Sequence, residues 1–205
     1  MLFRSDEPLA SLDFKRKQEI LPYLSRLHRE LKIPLLYVTH SQQEVAQLAD
    51  YLVVMEDGKA LASGPLSATL SRLDVPLAHE REAATVWQVQ VTGHEHEYQL
   101  TRVGFAGGEL SLPSLAVAAG TPLRLQIQAR DVSIALEKPA ASSILNVLPA
   151  TINALSDDQG GQTVVQLQIG EQQLLAHITR KSAVLLGLKV GMPVFAQIKG
   201  SSIVN

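Results

Sequence analysis

Asp6 and Glu7 stand side by side, followed by the Pro-led turn Pro8-Leu9-Ala10-Ser11-Leu12 and a further carboxylate, Asp13, while Thr39-His40 closes the next apolar run. Two adjacent carboxylates just after a short strand, then a turn and a third acid, suit a site that holds Mg²⁺ and activates a water beside a phosphate. The same acids also suit the start of a helix, where negative charge complements the macrodipole. A single histidine after a strand is usually structural, so His40 carries functional weight only in the company of the carboxylates.

The elements that must position these groups are legible in the pattern. From Lys15 to Leu31, Ile20, Leu21, Leu24, Leu27 and Leu31 fall on one face at helical spacing, and Glu19, Arg26, Arg29 and Glu30 on the other. Pro22 lies on the polar side, and His28 at the edge of the apolar stripe reads as a solvated flank residue. Pro34 breaks the helix. Leu35-Leu36-Tyr37-Val38 is a short apolar run of the buried parallel type, with His40 at its carboxyl end, where open α/β sheets bind ligands. Ser41-Gln42-Gln43-Glu44 has capping-box spacing and opens a short helix. Tyr51 to Met55, the Asp57-Gly58 turn and Lys59 to Ala62 predict a hairpin, and Gly64-Pro65 starts a last short helix through Leu73.

From about Val75 to Ala84 the chain turns polar and charged and reads as a linker. Beyond it, Trp87, Val89 and Val91 alternate with Gln88, Gln90 and Thr92, and Gly and Pro punctuate short runs to the end, which predicts an all-β second part. Gly120-Thr121-Pro122-Leu123-Arg124-Leu125-Gln126-Ile127 resembles Gly191-Met192-Pro193-Val194-Phe195-Ala196-Gln197-Ile198, so two related β modules are expected. His94-Glu95-His96-Glu97 offers two imidazoles on one strand face but no third metal ligand, and reads as a solvated hairpin.

Composition bounds the rest. Of 205 residues, 46% are hydrophobic, enough for a sizeable core. Eighteen basic residues against twenty acidic, without a dense basic cluster, leave no electrostatic footprint for nucleic acid. No apolar run reaches the ~20 residues of a membrane-spanning helix, so direct membrane insertion is not expected. The absence of cysteine excludes disulfides, thiolate metal sites and cysteine catalysis, and fits the cytoplasm.

The N-terminal pattern resembles the Walker B motif, D-loop and switch histidine of ABC-transporter ATPases. That resemblance implies that Asp6 holds Mg²⁺ through water, Glu7 polarises the attacking water, Asp13 reaches across a dimer interface and His40 contacts the γ-phosphate of ATP. No Gly-x-x-x-x-Gly-Lys-Ser/Thr phosphate loop or Leu-Ser-Gly-Gly-Gln signature occurs in the sequence. In the family these precede the carboxylates, so the chain is expected to be the C-terminal part of a longer protein, without ATPase activity by itself.

Ser142-Ser143-Ile144-Leu145-Asn146-Val147, Ala176-His177-Ile178-Thr179, Gly187-Leu188-Lys189-Val190-Gly191 and Ala196-Gln197-Ile198-Lys199-Gly200-Ser201-Ser202 resemble the Mop module, a small OB-like barrel of the TOBE group. Mop modules bind molybdate or tungstate, usually where two modules meet. The resemblance implies Ser143, Thr179, Lys199 and Ser201 as oxyanion ligands, and hydroxyls, backbone N–H groups and a cation are the donors that a tetrahedral dianion needs. Leu145 stands where many members carry Arg. Serine and threonine at strand ends are also ordinary turn residues, and Lys199 also suits the protection of an edge strand.

The expected fold is therefore a partial α/β ABC ATPase domain followed by an all-β OB-like TOBE/Mop domain. Its divisions are 1–79 for the C-terminal part of the nucleotide-binding domain, 80–140 for a linker and first β module, and 141–205 for the Mop-like module. Together the halves resemble the ATP-binding subunit of a bacterial molybdate importer, which implies a homodimer, membrane permease partners and a peripheral place on the cytoplasmic face of the inner membrane. A stand-alone molybdate- or tungstate-binding or sensing module is the alternative.

Overall fold

A computed structural model describes residues 3–31, 34–157, 160–199 and 202–204. The apolar run before His40 forms β2 (Leu35–Val38), which pairs in parallel with β1 (Phe3–Asp6), from Phe3 opposite Leu35 to Asp6 opposite Val38. Parallel neighbours need a crossover, and α1 (Phe14–Leu31) supplies it. Its apolar face is only partly covered. Leu21 is fully buried against Leu9 and Leu48, whereas Ile20 and Leu27 are exposed, because a sheet of two strands is too narrow to cover the whole stripe. His28, expected to be solvated, is half-buried and lines an apolar groove with Phe3, Leu24, Leu27 and Leu35.

α2 (Gln42–Leu48) follows. The predicted hairpin is β3 (Tyr51–Glu56) and β4 (Lys59–Pro65), joined at Asp57 and Gly58 with φ of +48° and +74°. Two left-handed central residues are what a type I′ turn requires, and glycine supplies one without strain. α3 (Leu66–Leu70) is shorter than expected and stops before Leu73.

The segment read as a polar linker is a packed joint. Val75, Ala78 and Ala83 are buried, while Pro76, Glu80, Arg81 and Glu82 are exposed. His177 Nε2 donates to the Ala78 carbonyl at 2.8 Å and His79 Nε2 to that of Leu73 at 2.8 Å. Charged residues dominate the composition here, but every few positions a small apolar side chain faces inward and fixes the path.

The β half consists of β5 (Ala84–Glu95), β6 (Leu100–Phe105), β7 (Gly108–Pro113), β8 (Pro122–Gln128), β9 (Val132–Ala135), β10 (Asn146–Asp157), β11 (Gln162–Ile169), β12 (Gln172–Thr179), a short α4 (Arg180–Leu185), β13 (Pro193–Ile198) and β14 (Ser202–Val204). One sheet has the order β14-β8-β5-β6-β7 and the other β9-β13-β10-β11-β12. These are the same arrangement twice, except that the last strand of each repeat has crossed to the other sheet. The expected repeat is thus present in three dimensions. β5 is bulged between Val91 and Gly93, and β10 between Ile152 and Ala154. Val91 N–H donates to Thr121 O and Gly120 N–H to Val91 O, and Ile152 N–H and Gly191 N–H make the matching pair with Met192 O and Ile152 O.

One core serves both sheets. Trp87, Leu110 and Leu125 from the first pack with Leu167, Leu174 and Ile198 from the second, all nearly inaccessible. Trp87 Nε1 donates to Gln173 O at 2.7 Å, and Asn146 accepts from and donates to the backbone of Ser111. His94 departs from its reading as part of a solvated hairpin. It is half-buried, its Nε2–H donates to Val117 O at 2.8 Å, and its Nδ1 accepts from Thr101 Oγ1 at 3.1 Å, which in turn accepts from Leu115 N–H. Among the described residues, no helix is long and apolar enough to cross a membrane.

The β6–β7 and β11–β12 turns approach each other closely through their backbones. A side chain on Gly170, whose φ is +56°, would meet the Gly107 Cα at 2.7 Å, whereas one on Gly120, φ +85°, would meet nothing within 4 Å. Gly170→Ala is therefore expected to cost roughly 2–4 kcal/mol and Gly120→Ala only about 1 kcal/mol. Urea unfolding followed by Trp87 fluorescence measures both; equal costs would refute the close approach.

Candidate functional site

Asp6 and Glu7 leave the carboxyl end of β1, and Thr39 and His40 that of β2. Glu7 N–H donates to Val38 O at 2.9 Å, which fixes the two exits side by side. Glu7 has a φ of +45°, a conformation that costs a non-glycine residue about 1 kcal/mol or more. This turn brings its carboxylate onto His40: Glu7 Oε1 accepts from His40 N–H at 2.9 Å and lies 2.8 Å from His40 Nδ1. A carboxylate only accepts, so Nδ1 carries the proton and Nε2 faces outward, on a side chain 80% exposed. The arrangement presents a carboxylate and an oriented imidazole at the carboxyl edge of a parallel pair.

Asp6 is exposed beside them. Mg²⁺ is held by one or two carboxylates together with phosphate oxygens and waters rather than by an all-protein cage, so a pair of carboxylates at a strand end is a fitting donor set. Among the described residues no group of three or more His, Asp or Glu gathers as a metal cage. Asp13 serves as the cap of α1: its Oδ1 accepts from Arg16 N–H at 2.8 Å, the helix-start role that the sequence also allowed.

Glu44 is the functional-looking residue that spacing concealed. Ser41 Oγ accepts from Glu44 N–H at 3.4 Å, but the return half of the capping box is not made, since Ser41 N–H donates to Thr39 Oγ1 instead. The buried Glu44 carboxylate takes Lys17 Nζ at 2.8 Å, Thr39 Oγ1 at 2.8 Å and Tyr37 Oη at 2.9 Å. Burial alone would push this carboxyl up; the bonds from Lys17, Thr39 and Tyr37 and the Lys17 charge outweigh it and hold the group below its ordinary value. Burial and the adjoining Glu44 carboxylate push the Tyr37 hydroxyl well above its usual range, with the Glu7 charge adding to the effect. The network ties α1, β2 and α2 together directly behind His40.

The oxyanion candidates lie in the second β module. Ser143 is exposed in the loop before β10, where Ile144 N–H donates to Ser142 Oγ, and Leu145 is exposed next to it. Lys199 follows β13; its N–H donates to Asp131 O at 2.8 Å and its side chain is exposed. Asn146 pairs with Ile198, so Ser143 and Lys199 leave the same end of the β10–β13 pair. Thr179 N-caps α4, accepting from Ser182 N–H at 3.1 Å. It pairs with Gln162, beside the Thr163–Asp157 rung at the other end of β10. A straight 12-residue strand spans roughly 36 Å between its ends. Ser143 and Lys199 are therefore grouped, and Thr179 of the same copy sits at the far end. Ser201 lies outside the described residues. In the first module, the position equivalent to Lys199 is Gln128, so the repeat does not duplicate the cation.

A TOBE-domain family model matches residues 142–204. Along nearly the whole chain the sequence is similar to the molybdenum import ATP-binding protein ModC: 49% identical over 204 residues to that of Aromatoleum aromaticum, covering 100% of this chain and 54% of the relative. Against the protein of the same name from Albidiferax ferrireducens it is 49% identical over 200 residues, covering 98% and 54%. Against that of Pseudomonas aeruginosa it is 48% identical over 205 residues, covering 98% and 57%. The similarity runs through the whole chain and covers the C-terminal part of these relatives. The chain spans about half the length of the curated relatives it matches. A solved structure of the cytoplasmic molybdate-binding protein ModG with molybdate bound superposes on 58% of this chain and 93% of its own, with a TM-score of 0.51 and 21% identity. That likeness shows the fold of the β half: all-β, OB-like and two-sheeted.

The Glu44 network gives a pH prediction. A carboxyl whose folded value is depressed contributes stability that is present above its unfolded value, ordinarily about 4.5, and is lost as pH falls through the folded value. Acid unfolding of the wild-type chain should steepen below about pH 4.5, and Glu44→Gln should flatten that limb. At neutral pH the substitution should cost about 3 kcal/mol, because it leaves Lys17 beside a buried neutral amide. Urea titrations at stepped pH provide the check; identical pH slopes would remove Glu44 from the account.

Proposed function

We propose that this chain is the C-terminal part of the energy-coupling ATP-binding subunit of a molybdate importer. The observation that carries the reading is sequence likeness to that family through both halves, from Asp6 and Glu7 to the end of the TOBE match. In this reading residues 1–79 complete a nucleotide-binding domain and 141–205 form the oxyanion module. Glu7 orients and polarises the attacking water, His40 presents Nε2 toward the γ-phosphate while Glu7 holds Nδ1, Asp6 holds Mg²⁺ through water, and Asp13 reaches the dimer partner. ATP with Mg²⁺ supplies the hydrolysable bond. The partners are a second copy and membrane permease subunits, at the cytoplasmic face of the inner membrane.

For the oxyanion, Ser143 and Lys199 of one copy and Thr179 of another form the donor set, since the two groups lie at opposite ends of β10. Lys199 supplies the charge-assisted bond, and with Leu145 where many family members have Arg it stands without that second cation. A second reading, a free molybdate- or tungstate-binding module, is favoured by the single core shared by the two β sheets, which owes nothing to residues 1–79.

Calorimetric titration of the purified chain tests the ligand. Molybdate and tungstate should release heat and sulfate should not, and Lys199→Ala should weaken binding by about 10- to 100-fold, the worth of one hydrogen bond from a charged group. No heat from a folded chain would refute the oxyanion assignment. Phosphate release from ATP should stay at background for this chain; turnover abolished by Glu7→Gln would overturn that expectation.

A further inference from the structure

α2 is fastened at its carboxyl end to the β half and at its amino end to the joint that leads into it. At its carboxyl end, Arg124 of β8 donates through Nη1 to Ala49 O at 2.9 Å and Gln47 O at 3.2 Å, and through Nη2 to Asp50 Oδ1 at 2.6 Å. Three or four carbonyls at a helix end have no partner within the helix and carry partial negative charge, so one guanidinium fork satisfies several at once. At the amino end, Gln42 Nε2 donates to Glu80 Oε2 at 2.6 Å and reaches Leu77 O at 3.5 Å. Between them Ala46 packs with Val86, on the outer face of β5. His40 and Ser41 immediately precede this helix, and Glu44 within it holds Lys17, Tyr37 and Thr39.

Arg124 is in turn held by the end of the chain. β14 pairs with β8 so that Val204 lies opposite Arg124, and β14 follows Lys199 after two residues. We infer that Arg124 is a positioning residue through which the β modules hold α2, and with it His40, in register with Glu7. The inference rests on the proposed roles of Glu7 and His40 and adds the element that places them. α2 is held from the β half by Arg124 and from α1 and β2 by Glu44, so the 2.8 Å contact between Glu7 and His40 depends on where both sets of anchors place the helix start.

Histidine-ring NMR of the whole chain tests it, with Glu7→Ala as the reference in which the contact is gone. In Arg124→Met, the His40 signal should shift toward its position in Glu7→Ala, while the Trp87 indole N–H signal, deep in the shared core, stays in place. A conservative Arg124→Lys, which can still reach a carbonyl, should give an intermediate shift. If His40 keeps its wild-type signal in Arg124→Met while the amides of Leu48 and Ala49 exchange faster, Arg124 is only a fastening and the inference is overturned. Should Arg124→Met lose the Trp87 signal by failing to fold, Asp50→Asn decides: a smaller shift in the same direction supports the inference and an unmoved His40 signal overturns it. An unmoved His40 signal in Glu7→Ala itself would instead refute the Glu7–His40 pairing, a failure of the functional reading rather than of the coupling.

Discussion

The exchange of terminal strands between the two β sheets is the constraint on which the rest of the molecule hangs. β9, at the end of the first repeat, completes the second sheet by pairing with β13, and β14, at the end of the second, completes the first by pairing with β8. Neither sheet is whole without the other repeat, and the side chains between them form one core rather than two. A strand lent in each direction also occupies an edge that would otherwise be open to pairing with foreign strands. Because β8 carries Arg124 and receives β14, the same exchange leads from the Lys199 loop to the anchor of α2.

Two repeats with one backbone plan have diverged in what they display. The shared features are those the backbone needs: the bulges at Val91 and Ile152, and the left-handed glycines Gly120 and Gly191 before the strands that the bulged strands receive. The differences are in loops and edges. The first repeat closes from β7 to β8 with a short segment pinned by His94 to Val117 and by Thr101 to Leu115, where the second has α4. Gln128 occupies the place of Lys199. The first repeat thereby turns its outer face to α2 and α3, through Val86 and Arg124, while the second keeps its cation and hydroxyls exposed. One copy of the plan became a mount and the other kept polar donors at its ends.

Much of this was legible in the sequence where local pattern and tertiary demand agree. The alternation from Trp87, the apolar run before Thr39, the Asp57-Gly58 turn and the Gly-x-Pro repeat each state a local geometry that the fold uses. What was not legible depended on partners distant in sequence. Glu44 looks like half of a capping box because its spacing from Ser41 is right, yet its carboxylate answers to Lys17, 27 residues earlier. The 75–84 segment is charged in composition, but its conformation is set by three small apolar residues among the charges, which no periodicity announces. The helix stripe from Ile20 to Leu27 promised a buried face, and only the number of strands beneath it decides how much is covered. Arg124 sits in a strand pattern where an arginine reads as an outward polar position; that its outward neighbour is the end of a helix is a fact of packing alone.

The placement of the oxyanion candidates bears on how such a site would work. Donors split between the two ends of a 12-residue strand cannot chelate a small anion within one copy, so on the proposed reading the anion is bound by an assembly. A ligand that bridges two copies favours their association by mass action, to the extent that it binds the pair more tightly than either alone. Occupancy then reports on both the anion and the proximity of two chains. On the same reading, with Leu145 where many family members have Arg, Lys199 is the one cation of the set, and a second module would add the donors that a single module lacks. β14 follows Lys199 after two residues, so on the proposed reading an anion drawn to Lys199 sits close in sequence to the strand that pairs with Arg124. On that reading, recognition of the anion and the hold on α2 draw on neighbouring residues, Lys199 and Val204.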